Sequence, residues 1–482
     1  MFLVTAEQMK RADRLTIDGG IPSAVLMENA GRGAFDILRK YVPDLKSKKV
    51  AVVCGKGNNG GDGRVVARWL EGVAGEVHLF DVGAVRKLPL RRMDIIVDAL
   101  FGIGLSRHVE GPEKDIIEEI NRSKKWVFSL DIPSGLSADT GRPMGEAVRA
   151  NLTATMGLPK IGLVLPEAAP YVGSLEVVDI GIPKNVLEAL ALKDQWITAS
   201  DIQPLFTPRA PETHKGNYGH VLLVGGSGTK PGAVLMAGRS SLRAGSGLVT
   251  VALPDRAYKK ISKNFLELMY EPQPSHRSGG ISRKALPKIL KLCAAMDAIA
   301  VGPGMGANAD TKALVEGLLK KTSQPMVLDA DGLNCLGRVE AICRLNENRI
   351  LTPHPGEMSR LTGLSTAAIQ KNRIGAARDF AKRHTCVLVL KGFRTIVATP
   401  DGAVFVNSTG NAGMATAGMG DVLTGVIVSL LAQGLSCQNA AVAGVWIHGR
   451  AGDRVAGRLG DRGLLATDVI EEIPLAIREV VS

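Results

Sequence analysis

The sequence is poor in aromatic residues and in cysteine. Phe, Trp and Tyr make up 4% of the 482 residues, and none of the six cysteines stands in a CxxC pair. This spacing predicts neither a zinc site nor a disulfide framework, so we expect reduced thiols in a cytoplasmic protein. Hydrophobic residues at 45% and 56 glycines are instead typical of an α/β enzyme with ligand-binding loops. The cysteines are Cys54, Cys293, Cys335, Cys343, Cys386 and Cys437.

The chain also lacks an obvious membrane segment. Too few apolar residues precede Glu7 for a signal peptide. The longest stretch without a charged residue covers residues 422–449, but the polar run QGLSCQN divides it into two short apolar pieces. We therefore expect two buried helices there and no membrane partner.

Charge is distributed unevenly along the chain. Residues 1–208 hold 26 basic and 26 acidic side chains, so the remaining residues carry the whole net charge of +12. No lysine-rich tail and no alternation of aromatic and basic residues indicates nucleic acid. The basic part instead predicts phosphorylated small molecules as ligands, because a cleft of one sign concentrates ligands of the other.

The chain is long enough for two or three domains. The segment 204–216, PLFTPRAPETHKG, holds three prolines and no apolar periodicity, and it coincides with the change in charge. We therefore predict domains at 1–208 and 209–482. As a separate expectation, the protein forms a homo-oligomer.

Both parts alternate apolar runs with helical stretches. Thr5 and Gln8 form a capping-box pattern, and a helix is expected over 24–41. Such alternation predicts βαβ units and two α/β domains with mostly parallel sheets. The predicted strands are 50–54, 77–80, 95–99 and 126–130 in the first part, and 221–224, 248–252, 299–301, 326–328, 350–351 and 387–390 in the second.

The first candidate site follows the strand at 50–54. The run GKGNNGGDG at 55–63 leads into a helix, and such a turn lets backbone N–H groups approach a phosphate. It contains GxGxxG, and Asp81 follows the next strand at about the distance of a ribose-binding acid. A Rossmann oxidoreductase and a tight turn without a ligand therefore both stay open.

Two carboxylates end predicted strands of the same sheet, Asp98 and Asp131. The carboxyl ends of parallel strands meet at one edge, where Asn58, Asn59 and Ser134 are also expected. An aspartate at a strand end is more often a turn or helix cap than a catalyst. Together with the glycine-rich turn, however, the set favours a ligand site.

Four motifs resemble the NAD(P)H-hydrate epimerase domain: LMENAG (26–31), GKGNNGGDG, VDALFGIGLSR and LDIPSGLSADTG. The resemblance implies a Rossmann-like domain that interconverts the R and S forms of NADH and NADPH hydrated at C6 of the nicotinamide ring. It assigns potassium to Asn59, Asp98 and Ser134, and Asp131 is our candidate for proton transfer. The residues implied to contact the hydrated dinucleotide are Asn58, Asn59, Gly60, Gly61, Asp62, Gly102, Ile103, Gly104, Leu105, Ser106, Arg107, His108 and Asp131.

The second candidate site is the run NAGMATAGMGD at 411–421, directly before apolar VLTGVIVSLL. Glycines at the start of a buried helix leave its first N–H groups free for an anion. Asp421 could be an ordinary helix-dipole residue. Beside an anion site it could also take a proton from a hydroxyl while the N–H groups stabilise phosphoryl charge.

This run resembles the ribokinase-like superfamily and, with KGNYGHVLLVGGSG, RAGSGLVTV, VGPGMG, DADGLN and LTPHPGEMSRLTG, the NAD(P)H-hydrate dehydratase domain. Ala412 stands where members often have proline. The resemblance implies that ADP, with Mg²⁺, phosphorylates the C6 hydroxyl, with Asp421 as the base and Gly418 to Gly420 as the anion hole. It places ADP at Lys391, Gly392, Phe393, Arg394, Thr395 and Gly420, and the hydrated ring at Ala233, Gly304, His354 and Asp421.

The two resemblances in tandem predict a repair enzyme that works in two stages, epimerisation and then dehydration of the S form to NAD(P)H, with AMP and phosphate as by-products. One alternative is a dinucleotide-dependent oxidoreductase fused to a small-molecule kinase. Another is a first domain that binds a dinucleotide without catalysis and regulates the second. No single residue decides between ADP and ATP, or between the NADH and NADPH hydrates.

Overall fold

The structure is a computed structural model that describes residues 1–82, 88–261, 265–338 and 345–481. It separates into two compact units, Phe2–Asp194 and Gln195–Ser482, the latter together with Met1. Cys343 lies outside the described residues, and the other five cysteines are buried free thiols, as expected.

The N-terminal unit contains one parallel sheet of six strands. The strands lie in the order β2-β1-β3-β4-β5-β6, and every neighbouring pair is parallel. Thr5 and Gln8 do form the predicted capping box at the start of the first helix. The elements are α1 (Ala6–Asp18), α2 (Ser23–Tyr41), β1 (Lys49–Cys54), α3 (Asn58–Leu70), β2 (Glu76–Asp81), β3 (Ile95–Ala99), α4 (Pro112–Ser123), β4 (Trp126–Leu130), β5 (Leu152–Met156), α5 (Ala169–Val172), β6 (Ser174–Val178) and α6 (Lys184–Ala189).

Helices cover both faces of this sheet. Successive side chains of a strand point to opposite faces, so Val50 and Val52 pack with residues of α1, α2 and α3. Ala51 and Val53 of the same strand pack with residues of α4. The result is the three-layer Rossmann-like arrangement that the alternation of strands and helices predicts.

The C-terminal unit contains a sheet of ten strands, in the order β10-β9-β8-β11-β12-β13-β14-β15-β16-β7. All neighbours are parallel except β14 with β15 and β15 with β16. The elements are β7 (Gln195–Ile197), α7 (Ala199–Ile202), β8 (His220–Val224), α8 (Pro231–Arg243), β9 (Leu248–Pro254), α9 (Asp255–Tyr258), β10 (Met269–Gln273), α10 (Leu286–Cys293), β11 (Ala298–Val301), α11 (Ala309–Lys321), β12 (Met326–Leu328), α12 (Asp331–Leu336), β13 (Arg349–Leu351), α13 (Pro355–Thr362), α14 (Thr366–Lys371), α15 (Arg373–His384), β14 (Val387–Leu390), β15 (Ile396–Ala398), β16 (Val404–Asn407), α16 (Met419–Ala432), α17 (Cys437–Leu459) and α18 (Ala466–Val481).

The uncharged stretch at 422–449 forms parts of α16 and α17, as expected of two buried helices. Every residue from Val422 to Ala432 is buried, and one face of the sheet packs against α8, α16, α17 and α18. Within the described residues, no helix is both long and apolar enough to span a membrane.

The residues just before the proline-rich segment 204–216 already belong to the C-terminal unit. β7 pairs with β16, matching Trp196 to Val406, and so extends the larger sheet at its edge. The two units therefore divide at Asp194, earlier in the chain than the predicted boundary at residue 208. A strand of three residues gives too little apolar pattern to be recognised from the sequence.

Candidate active sites

The first candidate site is a crevice of about 650 Å³ at the carboxyl edge of the N-terminal sheet. This volume falls in the range of small-molecule pockets, roughly 300–1,000 Å³. Residues of α1 and α2, the turn after β1 and the loop after β3 line it, together with Asp131 after β4. The structure therefore brings together the strand ends that the sequence places at one edge.

Close backbone approach explains two glycines at the junction of β1 and α3, Gly55 and Gly60. A Cβ at Gly55 would lie 2.0 Å from the carbonyl oxygen of Leu100, and one at Gly60 would lie 1.9 Å from that of Gly55. α3 begins at Asn58, directly after the turn, and Asn58 lines the crevice. The junction thus presents a helix N-terminus with unpaired N–H groups, which suits an anion.

A buried ion pair, Asp131 with Lys160, stands at the base of this crevice. The Nζ of Lys160 lies 2.5 Å from Oδ1 of Asp131 and also donates to Thr155 and to the carbonyl of Met156. The Oδ2 of Asp131 accepts from the N–H of Ile103 at 3.2 Å. Asp131 has a φ of 63°, the left-handed region that a non-glycine residue seldom adopts, so the strand end is shaped around this carboxylate.

Two more carboxyl groups line the same crevice, those of Asp62 on α3 and Asp13 on α1. Burial, and then the negative charge of Asp131, raises the pKa of Asp62 to about 8. Burial likewise raises the pKa of Asp13. A carboxyl group with a pKa as high as that of Asp62, in a cleft, is a candidate for proton transfer.

The three residues assigned to potassium lie together at the crevice, where Asn59 is part of the lining. Asp98 is fully buried and accepts from Ser134 Oγ at 2.5 Å and Ser134 N–H at 2.9 Å. The Nδ2 of Asn59 donates to the carbonyl of Phe101 at 2.9 Å, and that carbonyl also accepts from Ser134 Oγ at 3.3 Å. Asn59 Oδ1 is a buried oxygen for which the described residues offer no donor.

Most residues expected to contact the dinucleotide do line the crevice. Gly60 and Gly61 instead lie behind it in the first turns of α3, where a Cβ at Gly61 would meet Met27. His108 lines a separate small cavity with Glu110 and Lys114. The residues from the prediction that line the crevice are Asn58, Asn59, Asp62, Gly102, Ile103, Gly104, Leu105, Ser106, Arg107 and Asp131.

Asp81 does not take the position of a ribose-binding acid. It ends the edge strand β2, where its carboxylate pairs with Arg64 at 2.5 Å, and it does not line the described crevice. This weakens the alternative of a Rossmann oxidoreductase.

The second candidate site surrounds the start of α16. Gly418 precedes the helix with a φ of 91°, and a Cβ there would lie within 3 Å of Met236 and Ala466. Asp421 is in the first turn. Burial, and then the charge of Asp329, raises the pKa of Asp421 to about 7, which suits a base that works near neutral pH.

A hydrogen-bonded chain joins three elements beside Asp421. Asp329, which follows β12, accepts from Lys391 Nζ at 2.6 Å through Oδ1 and from Thr424 Oγ1 at 2.8 Å through Oδ2. A Cβ at Gly420 would lie only 3.3 Å from Lys391 Nζ. Lys391, expected at the nucleotide phosphates, therefore reaches the helix start as part of an ion pair.

His354 and Glu357 border the same lysine. His354 caps α13 and forms a capping box with Glu357, whose Oε2 lies 3.9 Å from Lys391 Nζ. Burial lowers the pKa of His354 and raises that of Glu357. Burial alone would lower the pKa of Lys391, but the charges of Asp329 and Glu357 outweigh it and raise that pKa.

The loop after β14, expected to hold the nucleotide, is fixed by two arginines. Arg373 donates to the carbonyls of Phe393, at 2.6 Å, and Leu390, at 3.3 Å. Arg394 donates to the carbonyl of Ser408 at 2.8 Å, and its guanidinium lies 4.6 Å from the ring centre of Trp196 on β7. Hydrogen bonds from these arginines to backbone carbonyls thus fix the loop, and the cation–π contact of Arg394 connects it to the edge strand β7.

The structure also brings Ala233 and Gly304 together. A Cβ at Gly304 would lie 3.1 Å from the Cβ of Ala233, which is on α8. α8 also carries Met236, which lies against Gly418. α8 therefore contacts Gly304 through Ala233 and the start of α16 through Met236.

Several residues of both sites escape the sequence-based prediction, chiefly Lys160, Asp13, Asp329, Glu357 and Arg373. Asp329 stands in the motif DADGLN and Glu357 in TPHPGE, so their motifs give a signal. Lys160 and Asp13 give none. In the described ranges, no group of three or more His, Cys, Asp or Glu side chains is arranged to hold a metal ion.

Comparisons with known proteins find a family model for each of the two units. The family model described as NAD(P)H-hydrate dehydratase matches residues 221–475. The model described as YjeF-related protein N-terminus matches residues 23–89 and 74–162. Each match falls within one of the two structural units.

The full chain and the C-terminal unit also have similar relatives. A bifunctional NAD(P)H-hydrate repair enzyme from Moorella thermoacetica is 40% identical over 100% of this chain and 97% of its own. A dehydratase from Bacillus subtilis, titled ADP/ATP-dependent NAD(P)H-hydrate dehydratase and co-crystallised with ATP and Mg²⁺, is 29% identical with a TM-score of 0.51 over 60% of this chain and 99% of its own. A ribokinase-like superfamily protein from Enterococcus faecalis shares the fold, with 24% identity and a TM-score of 0.53 over 60% of this chain and 96% of its own.

Proposed function

The chain belongs to the family of bifunctional NAD(P)H-hydrate repair enzymes, and we propose that its two units perform the two stages of that repair. The N-terminal crevice epimerises R and S hydrated NAD(P)H, and the C-terminal site dehydrates the S form with ADP. The observation that carries the proposal is that each unit has its own polar site at the start of a glycine-preceded helix, α3 or α16.

In the N-terminal crevice, Asp131 is the group that exchanges a proton with the substrate. Its carboxylate lines the crevice, and the ion pair with Lys160 fixes its position. The substrate carbon C6 carries both a hydroxyl group and the ring nitrogen, so inversion there needs acid–base help. The helix N-terminus at Asn58 is placed to receive the pyrophosphate of the dinucleotide.

Potassium fits the residues assigned to it. Asn59 Oδ1 is a buried oxygen in want of a partner, and the Phe101 carbonyl, Asp98 and Ser134 surround the same place with hard oxygen ligands. Bound there, the ion would supply positive charge beneath the loop after β3, which lines the crevice. The side chains of Asn59, Asp98 and Ser134 would hold it.

In the C-terminal site, Asp421 takes the proton of the C6 hydroxyl as that oxygen attacks the terminal phosphorus of ADP. The N–H groups at Gly418 to Gly420 stabilise the charge on the phosphoryl oxygens, and AMP leaves. The lone pair of the ring nitrogen then expels phosphate, and loss of a proton from C5 restores the dihydropyridine. The loop from Lys391 to Thr395 binds the nucleotide, and His354, Ala233 and Gly304 border the ring.

Magnesium fits this site as a companion of the nucleotide. The described residues hold no ready-made cluster of metal ligands, and Mg²⁺ commonly takes most of its ligands from phosphates and water. The ion would neutralise phosphate charge, while the chain contributes one or two carboxylates near Asp421. Use of ADP rather than ATP rests on the family resemblance.

One mixture tests both stages. Hydrated NADH as an R/S mixture is incubated with the protein, K⁺, Mg²⁺ and either ADP or ATP. We expect complete recovery of reduced-nicotinamide absorbance, with release of AMP and phosphate when ADP is supplied. No recovery with either nucleotide contradicts the proposal. We also expect the protein to be a homo-oligomer, which analytical ultracentrifugation checks. Activity in the purified mixture should require neither nucleic acid nor a membrane.

A further inference from the structure

The carboxyl group of Asp62 lines the N-terminal crevice and has no part in the chemistry described so far. We propose that Asp62 is a second catalytic residue of the epimerase, the acid that protonates the departing C6 hydroxyl, while Asp131 serves as the base. This inference rests on the proposed epimerase function and adds the proton donor to it.

The position of Asp62 fits contact with a substrate. It lies one helical turn after Asn58 on α3, so both side chains project from the same face, and both line the crevice. Asp62 is only 9% exposed. Among the described residues, no donor is hydrogen-bonded to its carboxyl group, which therefore faces the crevice without a partner.

Asp131 is held in the opposite way. Lys160 and the Ile103 N–H each donate to one of its oxygens, and the lysine supplies a full positive charge 2.5 Å away. Such an ion pair fixes the position of a buried carboxylate. One crevice therefore contains a carboxylate held by a lysine and an unpaired one, two different environments that suit a base and an acid.

The surrounding charges favour a protonated Asp62. The charged groups that line the crevice are Lys10 and Asp13 of α1, Lys56, Arg107, Glu113, and the pair of Asp131 and Lys160. Burial, Asp131 and Asp13 raise the pKa of Asp62 to about 8, and Lys160 opposes them only in part. At neutral pH the group therefore carries a proton that it can donate.

The proposed step balances without another reagent. Asp62 gives its proton to the C6 hydroxyl oxygen, the C6–O bond breaks with its electron pair on oxygen, and water leaves. The ring nitrogen lone pair forms a double bond to C6. A water molecule then adds to the opposite face of C6 and gives its extra proton to Asp131. A proton returned from Asp131 to Asp62 through solvent restores the starting state.

A competing interpretation makes Asp62 a structural residue. An aspartate in the first turns of a helix stabilises the helix dipole, and its loss would weaken α3 without touching chemistry. The two roles differ in what a substitution changes. A structural residue affects the thermal unfolding of the unit, whereas a proton donor affects the rate and its pH dependence.

The test uses Asp62→Asn in the full chain, with initial rates of R-to-S conversion corrected for the spontaneous reaction. We expect a loss of at least roughly 100-fold in rate, typical of losing a general acid, with little change in the KM for the R hydrate. Dehydration of pure S hydrate with ADP should match wild type, since that site is in the other unit. Asp13→Asn is the matched control, because it removes another carboxyl group from the lining of the same crevice, and its rate should fall far less than that of Asp62→Asn.

Two further measurements separate the roles. In wild type, kcat/KM for the R hydrate should fall as the pH rises through about 8, where Asp62 loses its proton. In H₂¹⁸O, epimerisation should bring ¹⁸O into the C6 hydroxyl. Asp62→Asn should slow the epimerisation and the ¹⁸O incorporation by the same factor.

The failures are distinguishable. A wild-type protein that does not interconvert R and S contradicts the proposed epimerase function itself. If wild type interconverts them but Asp62→Asn keeps the rate, or Asp13→Asn loses as much, the inference about Asp62 is wrong. Epimerisation without ¹⁸O incorporation also overturns it, because no water would then have left C6.

Discussion

The two sites contain the same combination of charged residues. Each has a lysine paired with an aspartate: the fully buried Lys160 with Asp131 at 2.5 Å, and the partly buried Lys391 with Asp329 at 2.6 Å. Each has a second, unpaired carboxyl beside that pair. Burial and the charge of the paired aspartate raise its pKa, to about 8 for Asp62 and about 7 for Asp421.

The two sites differ in which of their aspartates reacts with the substrate. In the C-terminal site the proposed base, Asp421, is the unpaired carboxyl, and the pair holds it in place through Thr424 and the start of α16. In the N-terminal site both the paired and the unpaired aspartate border the substrate crevice. In the C-terminal site the lysine–aspartate pair thus positions the reacting group, whereas in the N-terminal site the paired aspartate itself reacts. The two roles are distinguished by whether the paired aspartate lines the substrate crevice.

The largest expected effect comes from Asp421→Asn. It keeps the size and polarity of the side chain but removes the base, so dehydration of the S hydrate should fall by at least about 100-fold. Interconversion of R and S, measured without nucleotide in the same protein, should stay at the wild-type rate. Dehydration at the normal rate would show that the unpaired carboxyl is not the reactant in this site.

Asp131→Asn breaks the pair in the N-terminal site. It should reduce R-to-S conversion by about 100-fold, so that an R/S mixture with ADP stalls once the S form is consumed. Because Lys160 is left buried without its counter-charge, unfolding of this unit should also become easier by roughly 3–5 kcal/mol.

The double substitution Asp131→Asn with Lys160→Met separates these two effects. It should restore much of the stability, measured by thermal denaturation, but none of the activity. Recovery of both together would mean that Asp131 acts only through the fold.

Asp329→Asn tests the pair that serves as scaffold. The rate of dehydration should fall roughly 10- to 100-fold, since the start of α16 and Lys391 lose their common anchor. The negative charge of Asp329 raises the pKa of Asp421, so its removal lowers that pKa. The rate in wild type should rise through about pH 7, and in the variant this rise should move to lower pH.

Thr424→Val is the companion variant for that experiment. It cuts one hydrogen bond of the chain and leaves the charge of Asp329 in place, so the rate should decline without the shift in pH. An unshifted profile in Asp329→Asn would contradict the electrostatic part of the comparison.

Withdrawal of potassium should affect only one of the two sites. With K⁺ replaced by a bulky organic cation, consumption of the R hydrate should slow several-fold, because Asn59 Oδ1 regains its unpartnered state. Dehydration of the S hydrate is the internal control. Equal slowing of both reactions would mean that the ion does not bind at Asn59, Asp98 and Ser134.

The smallest effect concerns the division between the units. The fragments 195–482 and 209–482 should both dehydrate only the S hydrate, but the shorter one lacks β7 and the contact of Trp196 with Arg394. We expect its Tm to be lower by a few degrees, and its KM for ADP to be higher with kcat unchanged. Identical fragments would support the boundary at residue 208 that the sequence suggests.

Long apolar runs made most of the sheet predictable. Strands such as those at 95–99 and 387–390 match the structure at both ends, because buried parallel strands need continuous β-branched and aliphatic residues. Within the described part of the chain, six strands are missed: β5, β6, β7, β10, β15 and β16. In β5, LTATM, the Thr residues leave no clear period, and β7 and β15 are only three residues long.

The sites were predictable where chemistry stands in a local motif. Asp98, Asp131 and Asp421 each end a strand or begin a helix, so spacing reveals them. Lys160 is hidden because lysine is normally a surface residue, and only the fold buries it against Asp131. The role of Asp329 depends on Thr424, 95 residues later in the chain, and no local pattern records such a contact.

The order of elements in the C-terminal unit has a consequence for synthesis on the ribosome. All ten strands precede α16, α17 and α18, yet these helices, together with α8, cover one face of the sheet. The N-terminal unit can complete its layers as soon as it emerges, whereas the strands of the second must wait with apolar side chains uncovered until the last helices follow. The nascent second unit is therefore where this chain most needs a chaperone.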